Sequence, residues 1–135
     1  MDPISARMVM AAAGAGAAAE AVYVEDVFNT FLYEGDGAAR TITNGIDLSG
    51  EGGMVWIKNR GSSVNHYVAD TERGINKVLF PNEDFVEGSP SDVVTSFNAD
   101  GFDLGSNNNT NGTAFDYASW TFRKAPGFFL SLIHI

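Results

Sequence analysis

Very few side chains in this sequence can do covalent chemistry. The histidines are His66 and His134, and cysteine is absent. That removes thiolate nucleophiles, disulfides and cysteine zinc sites. An activated serine needs a base within reach and a strained elbow of the Gly-x-Ser-x-Gly type, and no such elbow is present. His66, beside Tyr67, reads as a surface pair on a strand. Glycoside hydrolysis needs two carboxylates across a cleft. Acids are plentiful, including Glu34, Asp36, Asp47, Glu51, Asp70, Glu72 and Asp100. Most of them flank glycines or turns, where Asp serves local backbone bonding. No phosphate loop is present. Asp100 to Asn111 supplies oxygen atoms without the spacing of a calcium loop. The expectation is no catalytic residue, no metal and no cofactor.

Two polar groupings stand out. In Asp70-Thr71-Glu72-Arg73-Gly74, Asp70 and Arg73 are placed to pair and Gly74 to supply a positive φ, which reads as a structural clamp. Asn107, Asn108 and Asn109, with Asp116 and Tyr117 nearby, are the candidates for binding a sugar from a loop rim. Tyr67 and Tyr117 are expected to be exposed, and Trp56 and Trp120 to pack in the core.

The elements that would position these groups are short strands. The 135 residues carry 44% hydrophobic and 19% charged residues with 15 glycines. Such a composition suits a folded, turn-rich domain. Strands are expected at Val27–Tyr33, Arg40–Ile46, Met54–Lys58, His66–Ala69 and Lys77–Phe80. Val93–Phe97 and Phe102–Leu104 should form a hairpin around Asp100-Gly101. Met54–Lys58 is the expected central strand. Ser49–Gly53 reads as a turn. Pro81–Pro90 and the polar run Gly105–Thr113 read as solvated loops. Tyr117–Arg123 alternates, and its Ala118, Trp120 and Phe122 side is expected to face the core. About eight strands at regular spacing predict an antiparallel β-sandwich or barrel.

Three regions follow from composition. Met1–Ala21 is an Ala/Gly-rich arm or helix; a signal-like segment is the other reading of the same residues. Residues 22–129 form the β-sandwich domain. Leu130–Ile135 looks like the translation of a transposase adapter used in sequencing libraries. It reads as a non-native tail, with the native chain cut near Phe129 and the sandwich therefore incomplete.

The net charge is −9. An acidic chain without a basic footprint is not expected to bind nucleic acid or an anionic membrane. A protein lacking disulfides that must persist outside cells gains stability from oligomerisation.

The segment from Val24 to Phe129 resembles an uncharacterised domain family of marine phages, of cyanophage and pelagiphage type. The resemblance lies in VFNTFLY (27–33), TITNGIDLSGEGG (41–53), VWIKNR (55–60), His66-Tyr67, DTERG (70–74), TSFNADGFDLG (95–105) and ASWTFRKAP (118–126). It implies a concanavalin-like jelly-roll sandwich in a virion or tail-fibre protein. It carries over no catalytic residue. The expected function is a non-enzymatic structural module of the phage particle, packed against other virion subunits and itself oligomeric. The alternative is a lectin-like adhesin for a host-surface glycan. A jelly-roll glycoside hydrolase fragment has the least support.

Overall fold

A computed structural model describes residues 23–128. The N-terminal arm and the adapter-like tail expected from sequence lie outside the described residues. Ten elements follow in order: α1 (Val24–Val27), β1 (Phe28–Glu34), β2 (Arg40–Thr43), α2 (Leu48–Glu51), β3 (Gly53–Asn59), β4 (Tyr67–Asp70), β5 (Val94–Asn98), β6 (Gly101–Leu104), α3 (Asn108–Asn111) and β7 (Asp116–Arg123). The fold is all-β. One sheet has the order β1-β7-β3-β4 and the other β2-β6-β5, with every pairing antiparallel.

The two inner faces close on one core. Val55, Ile57 and Tyr117 from the larger sheet meet Ile42, Phe102, Leu104 and Val94 from the smaller. Aligned sheets packed this way bury one side of each strand and leave the other to solvent. In β3 the burial alternates without a break, with Val55 and Ile57 inward and Met54, Trp56 and Lys58 outward. The expected central strand is indeed interior, between β7 and β4.

Several expectations are corrected. Lys77–Phe80 is no strand. It contributes isolated bridges from Val68 to Leu79 and from Val78 to Gly88, so the described residues hold seven strands. The stretch Ser49–Gly53 holds a helical turn, α2, capped by the Asp47 side chain, which accepts from the Gly50 N–H at 2.7 Å. The hairpin is present, with Ala99 and Asp100 at its tip and Gly101 opening β6.

The polar run Gly105–Thr113 is not a solvated loop. It contains α3, and Thr110 and Asn111 are fully buried. Asn111 explains this. Its amide donates to the Gly105 and Ala38 carbonyls at 3.0 and 2.7 Å and to Asp36 Oδ1 at 3.2 Å. Its oxygen accepts from the Asp36 N–H. An amide with its donors and acceptor satisfied can be buried.

The largest correction concerns β7. Tyr117, Ser119 and Thr121 face the core and are fully buried, while Trp120 and Phe122 face outward. The inward polar groups are each satisfied. Tyr117 OH accepts from the Gly112 N–H at 2.8 Å and donates to the Asn108 carbonyl at 3.1 Å. Ser119 donates to the Phe31 carbonyl, and Thr121 accepts from the Asn44 amide. At Ser119 and Thr121 small hydroxyl side chains let the layers close, while the Tyr117 ring stacks on Tyr33 inside the core.

Candidate functional site

The outward side chains of β7 build the molecule's most distinctive surface. Trp56 stands directly opposite Trp120, and Phe28 opposite Phe122, because β7 pairs with both β1 and β3. The two indoles meet edge to face, with centroids 6.5 Å apart and planes at 77°. The two phenyl rings are 4.9 Å apart. Such cross-strand aromatic pairs stabilise a sheet from its outer side. Met54 and the exposed Leu32 extend the apolar surface along the same face.

Trp56, His66, Trp120 and Phe122 line an open hollow of about 260 Å³. The Trp56 indole donates to His66 Nδ1 at 2.9 Å. An indole nitrogen can only donate, so Nδ1 carries no proton and the imidazole proton sits on Nε2. Burial, and then the Lys58 ammonium, hold the imidazole below its ordinary pKa. Lys58 is itself tied down by the carbonyls of Asn59, Ser62 and Val64. His66 is anchored through its backbone N–H to Asn82 Oδ1. The hollow is therefore an apolar cup whose indole and Nδ1 polar groups already satisfy each other. It suits an apolar side chain, in particular an aromatic one.

The residues expected to bind sugar do not form a common rim. Tyr117 is buried, stacked on Tyr33 at 5.2 Å. Burial raises the pKa of both phenols, with Tyr117 adding to the effect on Tyr33 and Arg40 opposing it. Tyr67, expected to be exposed, is also buried and accepts from the Asn109 amide at 2.9 Å. Asn107 caps α3 and donates to Asp92. Asn108 and Asp116 are exposed. This Asn-rich segment plugs one end of the sandwich.

The Asp70–Gly74 motif forms a clamp. Asp70 accepts from the Arg73 N–H at 2.8 Å and from its guanidinium at 2.9 Å, and Gly74 has φ +89°. Arg73 also reaches Glu87 at 3.1 Å, tying down the 81–90 loop. Glu72 pairs with Lys124. These carboxylates are held by cations. No group of three His, Cys, Asp or Glu among the described residues could hold a metal ion. Also among them, no helix is long and apolar enough to cross a membrane.

The outer aromatic cluster was missed because Trp and Phe read as core residues by type. A signal was present in the unbroken alternation of Tyr117–Arg123, which fixes which residues share a face but not which face is inside.

The family model described as a domain of unknown function (DUF7483) matches residues 24–128. No curated protein matches the chain. No solved structure matches it either.

Proposed function

The chain belongs to the DUF7483 family, and for this member we propose a non-enzymatic structural module of a bacteriophage virion, tail or fibre associated, that works by packing against other virion subunits. The observation that carries the packing role is the outer aromatic face of the larger sheet. It displays Trp56 and Trp120 together, beside the packed pair of Phe28 and Phe122. A run of bulky apolar groups on an outer face marks a protein contact more often than a soluble surface. Aromatic residues in a shallow pocket are the usual energetic centre of such contacts.

The phage setting is supported by the sequence resemblance, as is the reading of the sandwich as a concanavalin-like jelly roll. The adhesin alternative has less support. A sugar site needs polar groups beside its aromatic platform. Here the indole of Trp56 and Nδ1 of His66 satisfy each other, and the two indoles lie edge to face rather than as a flat platform.

Immunogold labelling of particles made by the phage that encodes this reading frame tests the proposal. Antibody against the chain should decorate one tail or fibre substructure. Unlabelled particles, with the protein only in the lysate supernatant, would reject it. Binding of the folded chain to an immobilised glycan panel, abolished by Trp120→Ala, would favour the adhesin instead.

A further inference from the structure

We propose that a second copy of this chain pairs antiparallel with the free edge of β1, fusing two four-stranded sheets into one eight-stranded sheet across a two-fold axis. This names the partner for the subunit-packing role above and rests on that reading.

The four sheet edges are not alike. The edge of β4 is bridged from Val68 to Leu79. β5 is bent by a register shift between Val94 and Ser96. β2 is only four residues long. Short length, bulges and covering segments are the devices that keep sheet edges from pairing. Among the described residues β1 has none of them. It runs for seven residues, and β7 is its only strand partner among the described residues. It contains no Pro, Lys or Arg, and its single charge is Glu34 at the end. The Arg40 guanidinium donates to the Glu34 carbonyl at 2.7 Å, which closes that last position. At the other end the Phe28 N–H is taken by the Val24 carbonyl. Between them, residues 29–33 are uncharged, and no second strand among the described residues pairs with them.

The side chains beside this edge are left incomplete by the fold. Leu32 is 56% exposed and Thr30 is exposed on the outer side. Phe31 packs on the core but remains half-buried. An added strand would cover Phe31 and Leu32 and use the backbone groups that β1 leaves free.

Charge selects the occupant. The chain carries −9, so a partner chosen by electrostatic attraction would be basic and would seek the acidic surface. An uncharged, β-prone lane instead admits a like-charged molecule. A strand opposed to its own reverse copy closes in two-fold symmetry. Centring the pair on Phe31 sets Thr30 against Leu32 of the partner copy, both on the outer side. The two aromatic hollows then lie on one continuous face, with the β7 strands three spacings (about 14 Å) apart. Pairing of five residues a side, 29–33, is small against a standard interface of about 800 Å² per partner. The dimer is therefore concentration dependent and suits a particle where copies are already adjacent.

Sedimentation of the full chain from about 10 µM to about 1 mM tests this across the range of weak interfaces. The unsubstituted chain should pass from monomer to dimer. Leu32→Lys should weaken the dimer at least tenfold, with the circular dichroism spectrum unchanged. Val86→Lys, at an exposed apolar position on the 81–90 loop, should leave it intact. A chain monomeric throughout, or a dimer indifferent to Leu32→Lys, overturns the proposal. If Leu32→Lys does not fold, amide exchange of the unsubstituted chain decides. Protection of the Thr30 and Leu32 amides, the N–H groups of this stretch that point away from β7, must rise with concentration, and unchanged protection there overturns the proposal. Particle labelling does not depend on this result, so a labelled particle with a monomeric chain rejects only the β1 pairing.

Discussion

His66 is held neutral by the work it does. Its Nδ1 accepts from the Trp56 indole at 2.9 Å, which a protonated imidazole cannot do. Burial and the Lys58 ammonium already depress its pKa below 6.5. The folded protein thus binds this proton less readily than the unfolded chain. The stabilisation is complete above pH 6.5 and is lost as pH falls through the lower folded value. In ¹H–¹⁵N spectra the Trp56 indole resonance should move with the imidazole titration, at a midpoint below the ordinary histidine range. The Trp120 indole, which has no bond to His66, should move less. A midpoint at or above 6.5, or an unmoved Trp56 indole, would contradict the bond. Asn111 offers a second test at the same scale. Its amide and oxygen serve Asp36, Ala38 and Gly105 from a fully buried position. Asn111→Ala would leave the buried Gly105 carbonyl without this donor, at about 1–3 kcal/mol for such a loss. Urea unfolding should show a lower midpoint with little change in slope.

Among the elements, β7 carries the fold and the surface at once. Its inward residues Tyr117, Ser119 and Thr121 anchor the core, and its outward Trp120 and Phe122 build the hollow. Substitutions on the two sides should therefore separate stability from binding. Tyr117→Phe removes the hydroxyl shared by Gly112 and Asn108, and thermal melts should show a loss of about 1–3 kcal/mol. Trp120→Ser leaves no buried group unpaired. It should lower stability much less, yet abolish incorporation of the chain into particles, measured by immunoblot of purified virions. β3 is bound to β7 just as tightly. A Cβ at Gly53 would strike the Phe122 carbonyl oxygen and the Leu48 side chain, so Gly53→Ala should part the β3–β7 ladder at that end.

Much of this level was legible in the sequence. VFNTFLY, MVWIK, HYVA and YASWTFR name all four strands of the larger sheet to within a residue or two. Alternation gave the facial sets correctly, and residue polarity then assigned them to the wrong sides in β7. The inner hydroxyls find partners through Asn44 and Phe31, 77 and 88 positions away, and through the 108–112 turn, 5 and 9 positions away. No local pattern encodes such pairings. The same holds for GSNNNTNGT. Its composition is that of a solvated loop, but Asn111 is drawn inside by carbonyls from Ala38 and Gly105. Lys77–Phe80 had the composition of a strand, but it lies beside β4 with only single bridges.

For the whole molecule, net charge and apolar surface oppose each other. The chain carries 17 acids against 8 bases, while the basic groups Lys58 and His66 stand at the apolar outer face beside Trp56. The ammonium of Lys58 is already bound to its own backbone. Two such molecules would repel at long range and, in the pairing proposed above, attract only once the sheet edges or outer faces meet. Apolar contact is insensitive to salt at moderate concentrations, whereas repulsion between acidic surfaces is screened. The Debye length shrinks from roughly 30 Å at 0.01 M to about 8 Å at 0.15 M. Association of the chain with itself should therefore strengthen as salt is added, the reverse of a contact built from opposite charges. Sedimentation in about 0.01 M and about 0.15 M sodium chloride reads this directly, as a dimer fraction that rises with salt at fixed protein concentration. A fraction that falls would mean that ion pairs hold the copies together. The contact would then have to lie on the charged part of the surface, away from β1 and the aromatic hollow.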